Sequence, residues 1–205
     1  MKGGLGSRYH FAFDETYGQF LKLLNGGQGV IIIGAHIGCW EAGVDFFGSY
    51  GKKINVVMWD AEHRQIKEVL SHCAKQESAY NIIAINQDAV AAMLQMKIAL
   101  DHGEYLCFNG DRYVDKHAAV PVSLLGGTAC FPIGPFKIAA KCEVPVVFYY
   151  AVREPRRTYR FVFDVQAGDE RFSADGLLER YVQSLTGIVS RYPRQWFNFY
   201  EFWDK

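Results

Sequence analysis

Nowhere in these 205 residues does an unbroken apolar run approach the ~18 residues that a membrane-spanning helix needs, and the opening Met1-Lys-Gly-Gly-Leu-Gly lacks the basic and apolar regions of a signal peptide. Both absences predict a chain that is soluble as it stands. An excess of charge of either sign is lacking too, with 22 basic against 22 acidic residues, which argues against a nucleic-acid partner. The five cysteines, Cys39, Cys73, Cys107, Cys130 and Cys142, contain no C-x-x-C pair. Their scatter speaks against a disulfide framework or a zinc site and for a reducing compartment. No G-x-S-x-G elbow offers a protein nucleophile. Repeats, low-complexity tracts and linkers are missing as well, so residues 1–205 are expected to form one domain. Half of the residues are hydrophobic and 21% are charged, enough apolar surface for a full core.

What the chain does contain is an alternation of strand-like and helix-like segments. Helices are predicted over residues 14–24, 41–50, 61–76, 88–102 and 174–191, with Asp88 as an N-cap and Gly103 as a helix stop. Strands are predicted at 30–33, 54–58, 82–85 and 104–108. Residues 144–152 and 159–165 read as an antiparallel pair at one edge of the sheet, joined by Arg-Glu-Pro-Arg-Arg. This order predicts an α/β sandwich with a mostly parallel, mixed central sheet flanked by helices.

The strongest chemical signal is His36-Ile-Gly-Cys-Trp-Glu41, directly after the apolar, β-branched run Gly29-Val-Ile-Ile-Ile-Gly34. The carboxyl end of a buried parallel strand is where ligand sites form in open α/β sheets. Five residues on one helix leave two side chains about 140° apart, so His36 is expected in the turn and Glu41 on the helix that follows. A carboxylate on one ring nitrogen leaves the other free as a base. Taken alone, the pattern also fits a half-buried structural histidine. Cys39 lies inside it and reads as a small packing residue.

Three further segments alter that balance. Phe108-Asn-Gly-Asp111-Arg112 follows the run Glu104-Tyr-Leu-Cys-Phe108, and Phe131-Pro-Ile-Gly-Pro135 opens a helix reaching Lys141. With His36 and Glu41 these resemble the ordered blocks of the lysophospholipid acyltransferase superfamily: H-x4-D/E, a segment ending in arginine, then a Pro-Gly block. Glutamate in the first block, and Ile133 where the third would carry glutamate, resemble the branch that acylates lipid A precursors. Val120-Pro-Val-Ser-Leu-Leu-Gly126-Gly-Thr-Ala129 and Tyr192-Pro-Arg-Gln-Trp-Phe-Asn-Phe are similar to that branch's approach to the third block and to its ending. The resemblance covers roughly residues 25 to 203.

The resemblance implies a glycerolipid acyltransferase-like fold and an enzyme that moves a fatty acyl group from a thioester of acyl carrier protein or coenzyme A to a hydroxyl of a bacterial membrane lipid. It implies no cofactor or metal, and work at the cytoplasmic face of the bacterial inner membrane through a peripheral or anchored contact. His36 would be the general base, Glu41 would hold its tautomer, and the substrate hydroxyl would take the place that serine has in a hydrolase triad. Backbone N–H groups near Gly38 or at Gly134 would stabilise the oxyanion. Arg112 is the candidate phosphate clamp, with a salt bridge to Asp111 or Asp115 as its alternative role. Asp111 would orient Arg112, and Gly134 and Pro135 would shape a close backbone approach or simply make a turn. Only 35 residues precede His36, fewer than such enzymes usually carry, so an amino-terminal anchor is expected to have been trimmed or lost.

Two surface features are read from the residues themselves. The tail from Tyr192 to Trp203 carries seven aromatics in twelve positions, suited either to packing on the core or to a bilayer boundary. Arg153, Arg156, Arg157 and Arg160 form a basic cluster that is either a solvated turn or a contact for an anionic lipid or an acidic carrier protein. Two other functions stay open. His36, Glu41, Asp111, Asp115 and His117 form a possible ligand set for a metal-dependent hydrolase. A catalytically silent lipid-binding domain would keep the same fold.

Overall fold

The computed structural model describes residues 10–40, 42–58, 80–85, 88–113, 115–166, 172–199 and 201–203. The expected helix at 61–76 lies outside the described residues, as does Glu41. In chain order the elements are β1 (His10–Phe13), α1 (Tyr17–Asn25), β2 (Val30–Gly38), α2 (Ala42–Gly48), β3 (Ile54–Met58), β4 (Tyr80–Ala84), α3 (Ala89–Asp101), β5 (Tyr105–Asn109), β6 (Ala119–Leu124), β7 (Gly127–Pro132), α4 (Gly134–Cys142), β8 (Val146–Glu154), β9 (Thr158–Gln166) and α5 (Ala174–Arg191). Asp88 caps α3 as expected, its side chain accepting from the N–H groups of Val90 and Ala91.

Seven strands form one sheet in the order β1-β9-β8-β2-β5-β3-β4, and only β8 and β9 run antiparallel. The fold is therefore the expected α/β sandwich with a mostly parallel, mixed sheet. Alternation along β2 explains the layers, because successive side chains of a strand point to opposite faces. Ile31, Ile33, Ala35 and Ile37 join α3, α4 and α5 in one buried cluster. Val30 and Ile32 join α1 and α2 in another, which is rich in aromatic rings; Phe20 stacks on Phe163 with centroids 4.0 Å apart.

One expectation is corrected here, and one motif without a structural expectation gains a structure. The β8–β9 hairpin forms, but it is not the sheet's edge, because β1 pairs in parallel with β9 from His10↔Thr158 to Phe13↔Phe161. Those four residues satisfy a row of N–H and C=O groups that β9 would otherwise leave open. Residues 120–129, read only as a motif, form the two-stranded antiparallel pair β6 and β7. Leu125 and Gly126 both take positive φ in the turn between them, as tight hairpin turns require.

The most constrained backbone position is Gly38, at φ +65°. A Cβ there would sit 1.9 Å from the carbonyl oxygen of Ala151, the same oxygen that accepts from Cys39 N–H at 2.8 Å. Gly38→Ala should thus force β2 and β8 apart and destabilise the protein by at least about 3 kcal/mol, read by chemical denaturation. A loss below about 1 kcal/mol would contradict this packing.

Candidate active site

The site forms where β2 and β5 end side by side. Their last register pair is Gly34↔Asn109, and Gly110 N–H closes on Gly34 C=O at 2.9 Å. Two residues beyond each member of that pair stand His36 and Asp111. On the β8 side the pairing jumps from Gly34↔Tyr149 to Gly38↔Ala151, so four steps of β2 face two of β8. This bulge re-aims the backbone at His36. The histidine consequently lies within the irregular end of β2, not in the turn after it, which corrects the sequence expectation.

Asp111 is the carboxylate beside His36. Its Oδ1 lies 2.8 Å from His36 Nδ1, and its Oδ2 accepts from the His36 backbone N–H at 2.9 Å and from Trp196 Nε1–H at 3.1 Å. The Asp111 side chain is 2% exposed and that of His36 19%. Burial alone would push the Asp111 carboxyl up; the ring hydrogen bond and charge of His36, the Trp196 indole and the His36 amide outweigh it and hold the carboxyl below its ordinary value. An ionised carboxylate only accepts, so Nδ1 carries the hydrogen and Nε2 of the neutral ring keeps a lone pair. Asn109 Nδ2 stands 3.5 Å from Nε2, too long for a strong hydrogen bond.

The carboxyl-terminal tail closes the back of this arrangement. Ile37 forms a bridge with Trp196, Phe197 N–H donates to His36 C=O at 2.7 Å, and Arg112 donates through one terminal nitrogen to Phe197 C=O at 2.5 Å. Phe202 is buried, with its ring edge-on to Trp196. The tail thus divides: one part packs on the core, whereas Phe197, Phe199 and Trp203 are 42%, 84% and 43% exposed. Trp196 and Asn109 were not singled out from sequence. Trp196 sits in the matched ending, and nothing local to it signals a bond to a residue 85 positions away.

A cavity of about 290 Å³ opens in front of His36. His36, Asn109, Arg112, Tyr113, Gly134 and Pro135 line it together with an apolar wall that includes Ile32, Phe47, Val56, Met58, Cys107 and Tyr149. Small residues keep it open. A Cβ at Gly43 would stand 3.0 Å from the Tyr149 ring and hydroxyl, and one at Gly134 would meet no heavy atom within 4 Å. Burial pushes the Cys107 thiol up to about 12, which removes it as a nucleophile. Arg112, Gly134 and Pro135 therefore share one cavity with His36, and Asp111 stands behind the histidine. Asp115 accepts from His117 N–H at 2.9 Å in a local turn. Among the described residues no three His, Cys, Asp or Glu side chains come together to hold a metal ion.

The depressed Asp111 carboxyl has a consequence for acid stability. Its contribution is fully present above the unfolded value of about 3.9 and is lost as pH falls through the lower folded value. Trp196→Phe removes one of the donors that lower it, so the acid-unfolding midpoint should move to higher pH with a loss of about 1 kcal/mol at neutral pH, followed by circular dichroism. An unchanged acid midpoint would contradict the bond to Oδ2.

A family model for bacterial lipid A biosynthesis acyltransferases matches residues 17–205. No curated protein matches the chain. The matched span holds β2, β5, the cavity and the tail that closes on His36. By that match across most of its length, the chain belongs to the bacterial lipid A biosynthesis acyltransferase family.

Proposed function

We propose that this acyltransferase moves a fatty acyl group from a thioester of acyl carrier protein or coenzyme A to a hydroxyl of a lipid A-type precursor or related bacterial membrane lipid, at the cytoplasmic face of the inner membrane. The observation that carries this reading is a buried carboxylate holding Nδ1 of a half-buried histidine at the mouth of a largely apolar cavity. His36 Nε2 takes the proton of the acceptor hydroxyl as its oxygen attacks the thioester carbonyl. The carbon–sulfur bond then breaks, and the leaving thiolate takes the proton back from the imidazolium. Asp111 plays the orienting part, keeping the hydrogen on Nδ1 and stabilising the imidazolium.

Two backbone donors were candidates for the oxyanion. Cys39 N–H, in the turn after Gly38, already donates to Ala151 C=O. Gly134 N–H begins α4, whose N-cap residue Ile133 supplies no side-chain bond, and it lines the cavity. The reading therefore assigns the oxyanion to Gly134. The apolar wall suits an acyl chain, and Arg112 at the same cavity suits a phosphate of donor or acceptor.

The test is turnover of labelled acyl donors with membrane lipid extract, with the product identified by mass spectrometry. His36→Ala should lose about 10²- to 10⁴-fold in rate while staying folded. Asp111→Asn should lose a similar factor because the wrong tautomer is favoured, and Glu41→Gln should lose less than about tenfold. Near-normal turnover in folded His36→Ala contradicts the mechanism; a larger loss in Glu41→Gln than in Asp111→Asn gives the orienting part to Glu41. Turnover in no arm would leave a silent lipid-binding domain.

Arg112→Lys keeps the charge but loses the planar fork. Substrate affinity should fall more than stability, by about tenfold in KM, because the planar fork takes a phosphate through two hydrogen bonds and the lysine ammonium does not. If the melting temperature collapses with KM unchanged, Arg112 serves the tail alone.

A further inference from the structure

The chain's zero net charge conceals a segregation of charge at the end of the sheet that carries the candidate site. In the twelve residues 153–160 and 191–194, six arginines face one acid, Glu154, an excess of five positive charges in a chain with none overall. Arg160 pairs with Glu154 through two nitrogens, at 2.7 and 3.1 Å. Arg153, Arg156, Arg157, Arg191 and Arg194 are exposed. Topology puts them near the site. β8 runs parallel to β2 with Ala151 opposite Gly38, so the β8–β9 turn projects beyond the same strand ends that hold His36, by about 15 Å. Gln195 ties the second segment to the first by bonding both the N–H and the C=O of Arg153 at 2.7 Å.

The turn itself adds a separate observation. Arg156 and Arg157 both hold positive φ, at +59° and +58°. Gly takes that conformation without strain and Asn at little cost, whereas arginine, with its Cβ and long stem, is held there against its preference. Stability would choose Asn-Gly there; what arginine adds is charge. Three and five residues after Arg194 in the sequence, the tail leaves Phe197 and Phe199 exposed, their rings 6.0 Å apart. Arginines with exposed aromatic rings match the headgroup boundary of an anionic bilayer, where cations meet phosphates and rings enter the acyl boundary. An acidic folded protein would need the arginines but not Phe199.

We infer that the strand-end surface carrying Arg153, Arg156, Arg157, Arg194 and Phe199 docks on an anionic bilayer, and so presents the cavity to a lipid hydroxyl at that surface. This rests on the proposed lipid acceptor.

The experiment is sedimentation of the 205-residue chain with vesicles of equimolar phosphatidylglycerol and phosphatidylcholine, or of phosphatidylcholine alone, across a sodium chloride series. Wild type should bind the anionic vesicles at low ionic strength and release with salt. Arg156→Asn with Arg157→Gly should melt at a higher temperature yet bind at least about thirtyfold more weakly, and Arg156→Glu with Arg157→Glu more weakly still. Phe199→Ser should weaken binding without changing its salt dependence. No binding at low ionic strength, binding indifferent to salt, or wild-type binding by the Asn-Gly variant overturns the inference. So does arginine-dependent binding to purified acyl carrier protein with none to vesicles. Turnover on detergent-dispersed substrates should be unchanged in these variants; if wild type itself fails there, the acyl-transfer reading falls while the vesicle result stands.

Discussion

One buried carboxylate organises the end of the sheet where the candidate site lies. Asp111 is nearly sealed from solvent, and an ion there is tolerated because donors surround it: the His36 ring, the His36 amide and the Trp196 indole. Each donor comes from a different tie in the fold. The amide comes from the β2 bulge, the ring from the strand side that faces the cavity, and the indole from a tail segment far along the chain. Losing any of them would leave charge uncompensated in a dry setting, so one interaction links sheet register, tail docking and the state of the histidine.

The parallel sheet makes such a meeting possible. In parallel neighbours the carboxyl ends lie together, and the Gly34↔Asn109 pair sets His36 opposite Asp111. Glycines permit the close approach. A Cβ at Gly110 would stand 2.7 Å from Ile33 and 3.0 Å from the Tyr181 ring, whose hydroxyl donates to Gly34 C=O at 2.8 Å. The same topology carries the β8–β9 turn and its arginines past the site. The candidate site and the arginine surface therefore share one end of the sandwich, and the opposite end keeps ordinary polar pairing such as that of Lys53 and Asn55 with Glu104.

Much of this was legible in the residues. The apolar run at Val30, the Asp88 cap and the antiparallel pair after Val144 are local patterns, and local patterns survive folding. The His36, Arg112 and Gly134 blocks that drew notice in the sequence sit around one cavity. What was not legible depends on register. The five-residue spacing of His36 and Glu41 drew attention to the neighbour in sequence, whereas Asp111 reaches Nδ1 from 75 positions away. The bulge that keeps His36 in the strand needs β8 beside it, and the cover that β1 gives β9 needs a four-residue strand too short to stand out. Trp196 is the same case: an aromatic tail reads as packing or as interface, and only the bond from its indole to Asp111 shows that one of its rings reaches the candidate site.

The central claim is that Asp111 holds the hydrogen on Nδ1 of His36 and leaves Nε2 free to act. Nitrogen-15 NMR of the labelled imidazole reads this directly, because the two neutral tautomers have distinct shift patterns. Near neutral pH, His36 should show a protonated Nδ1 and an unprotonated Nε2, and Asp111→Asn should erase that preference while Glu41→Gln leaves it intact. A hydrogen on Nε2 in the wild-type protein, or a tautomer indifferent to Asp111, would contradict it.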